Sequence, residues 1–596
     1  MRIKIPNAKW IVPVTAVGLL SVTGCADDKY DINDVDLTIG IGSGELELPG
    51  SSTTDIMLSE ILDIDDSECV DTVEGGDYMF TQKGADVDPV HPEIDKIVIT
   101  EESHIDRNVH FDMSSVIGGA LNSRRRVVLN TPITAQDDIR MFEYSGERPD
   151  GLVELHSALV EENFSLAIKF SQTLSNHVPT LKELSVRFPG YMVLDGVVVY
   201  GGAVLKQNGS ILELDNVNTG SELVIRGRVK SLDFKSTDTE LGKLVFGTET
   251  VKLDGRIHVK ASFDELEGTV SPSDKDEFYI SSEMDLGTFT VTSATGKFDP
   301  DIDLSDLGDA EITGVPSFLT DGDVVVDLDN PHILISLDSD LDIGGTITGT
   351  LESYKDGGRI AQVKVPEMTI KANDVTKICV CRVNKDIPAG YTAVVVPTLS
   401  DLIKTIPDKI TFSADAHADK NTVATFKLGH TYTMQPAYRI EAPLAFGADA
   451  CIIYTDSIED MNEDLQDFDL SNDARLEITA NIENRVPAYL QLSAVAVGVD
   501  GNVLGDDEIN IDCKDAVVLA SGNGSDTETT PVRIIVNQKK TGSLGKLDKI
   551  RFTVKATAKM DGNPTVTGVP LNARKHLIRA TDVKIKLIGK VTADLN

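Results

Sequence analysis

The stretch FSLAIKF, from Phe164 to Phe170, places an apolar residue at every second position. The stretch LEITANI, from Leu476 to Ile482, repeats this pattern near the other end of the chain. Period-two alternation is typical of antiparallel strands that have one buried and one solvated face. Turn-forming pairs separate such runs: Asp195-Gly196, Asn208-Gly209, Asp254-Gly255 and Asp500-Gly501. The sequence therefore predicts an all-β protein of elongated, tandem, antiparallel sandwich-like units with few short helices.

An internal duplication is predicted when the chain is compared with itself at an offset of about 218 residues. The motif Val178-Pro179-Thr180-Leu181 matches Val396-Pro397-Thr398-Leu399, and the alternating run 257–263 matches 476–482. In each motif the threonine is placed to cap a short helix. A chance coincidence of short β patterns is the alternative interpretation.

The matches divide the chain into four parts. They are a signal peptide (1–24), an N-terminal tether and β-rich region (25–157), β unit 1 (158–376) and its repeat, β unit 2 (377–596).

Composition limits the partners that the chain can have. The 596 residues include 96 acidic and 55 basic side chains, which gives a net charge of −41. This charge repels phosphate backbones, so nucleic acid is excluded as a partner, and anionic lipid headgroups are disfavoured. Aromatic residues make up only 5%, and the single tryptophan is Trp10. Their scarcity weakens the prediction of a dedicated glycan-binding platform.

The N-terminus has the features of an export signal. Arg2, Lys4 and Lys9 precede an apolar run over 10–20 that is too short to span a bilayer of ~30 Å. The following Val22-Thr23-Gly24 resembles a bacterial lipobox in front of Cys25. The resemblance implies cleavage before Cys25 and acylation of its thiol with palmitate-type chains, which would anchor the protein to the outer membrane.

The residues after Cys25 indicate a lineage. Asp27-Asp28 resembles the surface-export signal of Bacteroidota lipoproteins, the alternative being an ordinary acidic tether. The segment 30–40 resembles the opening of a group of uncharacterised Bacteroidota cell-envelope lipoproteins. The resemblance covers mainly residues 25–100 and implies a lipid-anchored protein exposed at the cell surface. It implies no chemistry.

Two aspartate runs are candidates for a structural calcium site: Asp299, Asp301 and Asp303, and Asp338, Asp340 and Asp342. Carboxylates at alternate positions can converge on one hard cation. In a strand, however, residues two apart share the solvated face. Neither run has the glycine and glutamate of an EF-hand loop. We therefore favour the solvated-face interpretation. A structural calcium ion is the alternative, and we expect no other cofactor.

Five cysteines remain when Cys25 is acylated: Cys69, Cys379, Cys381, Cys451 and Cys513. An odd number leaves at least one thiol free or bonded to another chain. Cys379 and Cys381 share a strand face, which suits cross-strand partners such as Cys451 or Cys513. The alternative is that the thiols are reduced and buried as small apolar groups.

The sequence contains no motif that indicates catalysis. The ten histidines are scattered, and metalloprotease, nucleophile-elbow and phosphate-loop patterns are missing from the sequence. We therefore expect a non-enzymatic role in binding, adhesion or scaffolding. Two alternatives are a lipid- or hydrophobic-ligand-binding protein, which would show an apolar tunnel, and a glycan-binding protein, which would show an exposed aromatic patch. The expected partners are the membrane, through the acyl chains, and an envelope protein, glycan or lipid.

Replacing Cys25 with serine should release the protein from the membrane fraction, because serine lacks the thiol that is acylated. Fractionation and metabolic acyl labelling measure this. Unchanged membrane retention of the variant would contradict the lipobox interpretation.

Replacing Asp27 and Asp28 with alanine should keep the protein lipidated but protect it from protease added to intact cells, because the export signal is lost. The unaltered protein should be degraded under the same conditions. Its protection would instead indicate a periplasmic location.

Overall fold

The computed structural model describes residues 39–48, 55–62, 64, 67–99, 103–117, 126–305, 307–316, 319, 323–458, 462, 468–470, 474–514 and 517–593. Within these ranges, no helix is long and apolar enough to cross a membrane. Strands dominate, and the predicted all-β class of tandem antiparallel sandwiches is confirmed.

The strands fall into four groups along the chain. The first six are β1 (Ile39–Leu48), β2 (Asp55–Met57), β3 (Val70–Thr72), β4 (Tyr78–Lys83), β5 (Ile97–Ile99) and β6 (Ser103–His110). The next twelve are β7 (Val127–Glu147), β8 (Leu152–Phe170), β9 (Glu183–Arg187), β10 (Met192–Tyr200), β11 (Val204–Asn208), β12 (Ile211–Asp215), β13 (Leu223–Asp233), β14 (Gly242–Phe246), β15 (Thr250–Leu266), β16 (Tyr279–Leu286), β17 (Phe289–Val291) and β18 (Ser293–Phe298). Nine follow: β19 (Asp309–Glu311), β20 (His332–Ser339), β21 (Gly345–Lys355), β22 (Gly358–Ile370), β23 (Asp374–Cys381), β24 (Thr392–Val395), β25 (Lys409–Ala418), β26 (Ala424–Lys427) and β27 (Met434–Pro443). The last nine are β28 (Cys451–Ile458), β29 (Phe468–Leu470), β30 (Arg475–Asn484), β31 (Tyr489–Gly498), β32 (Ile509–Lys514), β33 (Val517–Val518), β34 (Glu528–Gln538), β35 (Leu547–Thr557) and β36 (Leu577–Ala593).

Helices are short in the described chain. The α-helices are α1 (Leu58–Leu62), α2 (Ser114–Ile117) and α3 (Gln172–His177), and the 3-10 helices are Pro272–Glu277, Leu399–Leu402 and Leu544–Lys546.

The strands build three sandwiches with one shared topology, which we call module 1 (β7–β18), module 2 (β19–β27) and module 3 (β28–β36). Each module has a second sheet with the same strand order: β7-β15-β9-β12, β19-β25-β21-β22 and β28-β35-β31-β33. The sheet opposite also has one order: β16-β8-β13, β27-β20-β23 and β36-β30-β34. These sheets are antiparallel, and β24 adds to β23 as a parallel edge strand.

The N-terminal strands complete all three modules in reverse order, and we call β1–β6 the strap. Strands β1 and β2 pair with β36 of module 3, and β4 pairs with β27 of module 2. Strand β6 pairs with β16, and β5 with β17, both in module 1. We call the sheet that receives these main pairings the strap sheet of each module. The N-terminal region is thus no separate domain.

The predicted two-unit duplication is wrong. The run 257–263 lies in β15 of a second sheet, whereas 476–482 lies in β30 of a strap sheet. The proposed boundary between 376 and 377 falls inside β23. Apolar alternation is common to every half-buried strand, so matching runs do not establish equivalent strand positions. The repeat is threefold, and it is visible in the pairing order.

Some of the local predictions are confirmed and others are wrong. Ile257, Val259, Ala261 and Phe263 face the core as expected, each with 0% exposure. The motif 178–181 caps no helix, because it follows α3 and Thr180 forms a bridge with Asn218. In 396–399, by contrast, Thr398 precedes the 3-10 helix Leu399–Leu402.

Neighbouring modules are joined by specific contacts. Strand β26 of module 2 pairs with β18 of module 1, and the rings of Phe298 and Phe426 stack at 5.0 Å. Between modules 2 and 3, the fully buried Asp327 carboxylate accepts hydrogen bonds from the Arg382 guanidinium at 3.0 Å and from the Asp449 amide at 2.9 Å. The carboxylate needs these donors because an unpaired charge would be costly in a buried site.

His576 marks the place where the strap meets module 3. Its Nδ1 accepts a hydrogen bond from the Asn572 amide at 3.0 Å, and its carbonyl accepts one from the Leu58 amide of the strap at 2.9 Å. The Asn572 side chain donates to the strap at Asp77. Burial lowers the pKa of His576 to about 4. The imidazole is therefore neutral in the folded protein at neutral pH.

Stability should fall as the pH drops from about 7 to about 4, because a histidine with a lowered folded-state pKa is protonated more readily in the unfolded chain. His576→Asn keeps an acceptor near the Nδ1 position, so this variant should show a smaller shift of the urea midpoint. Burial also lowers the pKa of His332, which should leave a residual shift. An equal pH dependence in both proteins would contradict the assignment.

Candidate functional site

The predicted lipidation and export residues, Cys25, Asp27 and Asp28, lie outside the described residues. They remain predictions of the sequence.

The first aspartate run lies on a solvated edge. Asp301 and Asp303 are exposed while the intervening residues are buried, which is the alternation that the solvated-face interpretation predicts. Asp303 accepts hydrogen bonds from the amide and hydroxyl of Ser305, and these bonds lower the pKa of its carboxyl. Asp299 lies 3.4 Å from the Lys420 ammonium. These contacts are those of surface carboxylates.

The second run is likewise engaged by protein donors. Asp340 accepts a hydrogen bond from the Thr433 amide at 2.7 Å, and Asp342 accepts one from the Tyr432 hydroxyl at 2.6 Å. Asp338 is exposed. Across the described ranges, no three His, Cys, Asp or Glu side chains are grouped to hold a metal ion. The calcium hypothesis therefore has no ligand set in this part of the chain.

The five described cysteines are free thiols. Cys379 and Cys381 are fully buried and pack on the same cluster, with Leu334 and Tyr391. Burial, and then the neighbouring Cys381, raises the pKa of the Cys379 thiol to about 12. Such a thiol is a poor nucleophile, because the thiolate is the reactive form. The arrangement is that of small apolar groups in a core.

The candidate site is a groove on the outer face of the strap sheet of module 1. Its volume is about 790 Å³. Four strands supply its lining, which is Asn163, Phe164, Ser165, Asp195, Gly196, Val198, Arg226, Gly227, Arg228, Asp285, Leu286 and Gly287.

Strand register brings four groove residues into one row across the sheet. Val198 lies opposite Arg226, Arg226 opposite Ser165, and Ser165 opposite Asp285. The row therefore presents an apolar side chain, a guanidinium, a hydroxyl and a carboxylate on one surface. A ligand lying across the strands would meet donors and acceptors in turn.

A β-bulge shapes one wall of the groove. The pairing of β10 with β13 shifts register between Asp195 and Val198, and Gly196 has a φ of +61°. An L side chain rarely adopts this φ, so glycine suits the position. Bulges redirect side chains at sheet edges, and β10 is the edge strand of its sheet. The pair Asp195-Gly196 is thus a bulge and not the predicted hairpin turn.

The two arginines of the groove have different surroundings. Arg228 is bound by Asp195, and this hydrogen bond lowers the pKa of the aspartate carboxyl. The Arg226 guanidinium lies 5.7 Å from the centre of the Tyr200 ring. Arg226 makes no ion pair within the described residues. Tyr200 is 56% exposed, and every other large apolar residue with comparable exposure in the described chain is a valine or isoleucine.

The sequence carried only an ambiguous signal for this site. The Asp195-Gly196 pair fits a turn as well as a bulge, because both use a glycine with positive φ. The row of groove residues comes from four separate stretches of sequence that only the pairing order brings together.

Comparison with known proteins adds little. No described protein family and no curated relative matches the chain. A solved structure from Parabacteroides distasonis ATCC 8503, described as a "putative secreted protein", is 16% identical over 50% of this chain and 90% of that chain, with a TM-score of 0.34. The structure of infectious bursal disease virus strain Gx is 8% identical over 82% of this chain and 81% of that chain, with a TM-score of 0.12. Likenesses this weak carry no argument about function.

Proposed function

We propose that this protein is a non-enzymatic, lipid-anchored lipoprotein of the outer membrane that binds a polar, hydroxyl-rich ligand of the glycan class in the groove of module 1. The observation that supports this proposal is the row formed by Val198, Arg226, Ser165 and Asp285 beside the exposed Tyr200. Sugar rings pair an apolar face with hydroxyls, and an aromatic ring beside donors and acceptors suits both.

The interior of module 1 argues against the lipid-binding alternative. Phe111, Phe263 and Phe278 are buried there, with ring centroids 5.0 Å and 6.5 Å apart in successive pairs. Side chains thus fill the space between the two sheets, as in a close-packed core. The groove on the outside of module 1 is the better place for a ligand.

Two of the ten histidines make structural contacts with backbone carbonyls. The Nδ1 of His177 lies 2.7 Å from the Glu267 carbonyl, and that of His110 lies 3.1 Å from the Asp276 carbonyl. These imidazoles hold loops through backbone contacts, which is a structural use. The anchoring part of the proposal rests on the lipobox resemblance at Cys25.

Tyr200→Ala should abolish ligand retention, because it removes both the stacking surface and the support of Arg226. Affinity electrophoresis through gels that contain soluble xylan, pectin or mucin measures retention. Arg256→Ala changes an exposed residue on the second sheet of module 1 and should leave it unchanged. A failure of all three polysaccharides to retard the unaltered protein, or equal retardation of Tyr200→Ala, would contradict the assignment of the groove.

A further inference from the structure

The outer face of the strap sheet of module 1 carries a second row of aligned side chains beside the groove row. Tyr200 lies opposite Val224, and Val224 lies opposite Ala167. Each is two positions along its strand from a member of the groove row, so the two rows share one face and lie about 7 Å apart. We call Tyr200, Val224 and Ala167 the apolar row. Its ring and aliphatic groups provide a surface on which the apolar side of a sugar can lie.

The cations on either side of these two rows are neutralised by carboxylates. Beyond the apolar row, the Lys169 ammonium donates a hydrogen bond to Glu283 at 2.5 Å. Beyond the groove row, the Arg228 guanidinium is bound by Asp195 and lies 3.6 Å from Glu161. Neither cation is therefore available to balance the charge of a ligand.

Arg226 lies between these two neutralised cations and is bound differently. Its guanidinium is 5.7 Å from the centre of the Tyr200 ring, which is within the range of a cation–π contact, and it has no ion pair in the described part of the chain. A guanidinium held against a ring still presents its N–H donors as a fork that fits a carboxylate with two hydrogen bonds. An exposed arginine alone is not a binding site, and Arg256 on the second sheet is also exposed. Arg226 differs because it lines the groove and borders the apolar row.

Asp285 limits the negative charge that a ligand in the groove can carry. It lies in the groove row two strands from Arg226, or about 10 Å across the sheet. A carboxylate accepts hydrogen bonds from hydroxyls but repels a second carboxylate. The net charge of −41 opposes a polyanion at longer range. The groove therefore fits an isolated carboxylate on an otherwise neutral ligand.

We propose that the groove of module 1 selects glycans that carry isolated carboxylate groups on a neutral chain, and that Arg226 determines this specificity. The inference rests on the glycan-binding function proposed above and adds the chemical class of the ligand. One sugar lies on the apolar row with its carboxylate bound by Arg226, and hydroxyls of the chain reach Ser165 and Asp285. A neutral glycan leaves the guanidinium without a charged partner, whereas a polyuronate brings further carboxylates towards Asp285.

The test compares ligands that differ only in the carboxylate. The first pair is glucuronoxylan and the same xylan after its carboxyl groups are reduced to hydroxymethyl groups. The second pair is mucin before and after sialidase treatment, which removes its carboxylate-bearing sugars. Binding to the immobilised mature chain with Cys25→Ser is measured by biolayer interferometry in about 0.15 M salt, where long-range repulsion is screened. The acidic member of at least one pair should bind roughly 10-fold more tightly than its neutral partner.

Substitutions at one position separate the charge of Arg226 from its geometry. Arg226→Gln should bring the ratio of affinities within the pair close to one, because no cation remains in the row. Arg226→Lys keeps the charge but cannot form the two-pronged contact, so its ratio should be intermediate. The matched control Arg256→Gln, on the second sheet, should keep the ratio of the parent protein. Equal thermal midpoints show that all of these proteins are folded.

The possible failures are distinguishable. Equal affinities within both pairs, or a preference that persists in Arg226→Gln, would overturn the inference and leave the glycan-binding groove standing. Tighter binding of polygalacturonate, which has a carboxylate on every sugar, than of glucuronoxylan and untreated mucin would also overturn it. No binding of any probe would overturn both the inference and the assignment of the groove.

Discussion

Coverage of one strand edge is the constraint on which the whole structure depends. In each module the closing strand, β16, β27 or β36, pairs on one side with β8, β20 or β30. Without the strap its other edge would expose a row of unpaired amides and carbonyls, which invites pairing with another chain. Strands β6, β4 and β1 cover these edges. One continuous N-terminal segment therefore completes three separate sandwiches and links them.

The sequence predicted local structure much better than connectivity. Alternation in 257–263 identified a strand and its buried face, because burial on one side imposes a period of two. The same alternation misled the comparison with 476–482, since a half-buried strand looks alike in every sheet position. Pairing between Ile39 and Ala593 leaves no periodic signal in either segment. The threefold repeat became visible only when hydrogen-bonded neighbours were compared.

For the candidate sites, too, the sequence predicted local features better than features that depend on strand pairing. The solvated-face interpretation of Asp301 and Asp303 needed only alternation, and their exposure agrees with it. The groove needed the pairing order and a bulge at Gly196, which a single sequence cannot distinguish from a turn. Net charge was misleading in another way. A value of −41 averages over the whole chain and does not show where single basic residues lie.

The reverse path of the strap also fixes the order in which the modules can close. A chain folds from its N-terminus as it emerges, and pairing of distant segments must await the later one. Strand β6 can pair as soon as β16 is available, whereas β1 waits for β36, which ends at Ala593. Module 1 is therefore completed first and module 3 last. The module nearest the tether is complete only when the chain has emerged to its last strand. Loss of that strand would leave β1 and β30 with open edges, while the pairings that build the groove on β8, β10, β13 and β16 would remain.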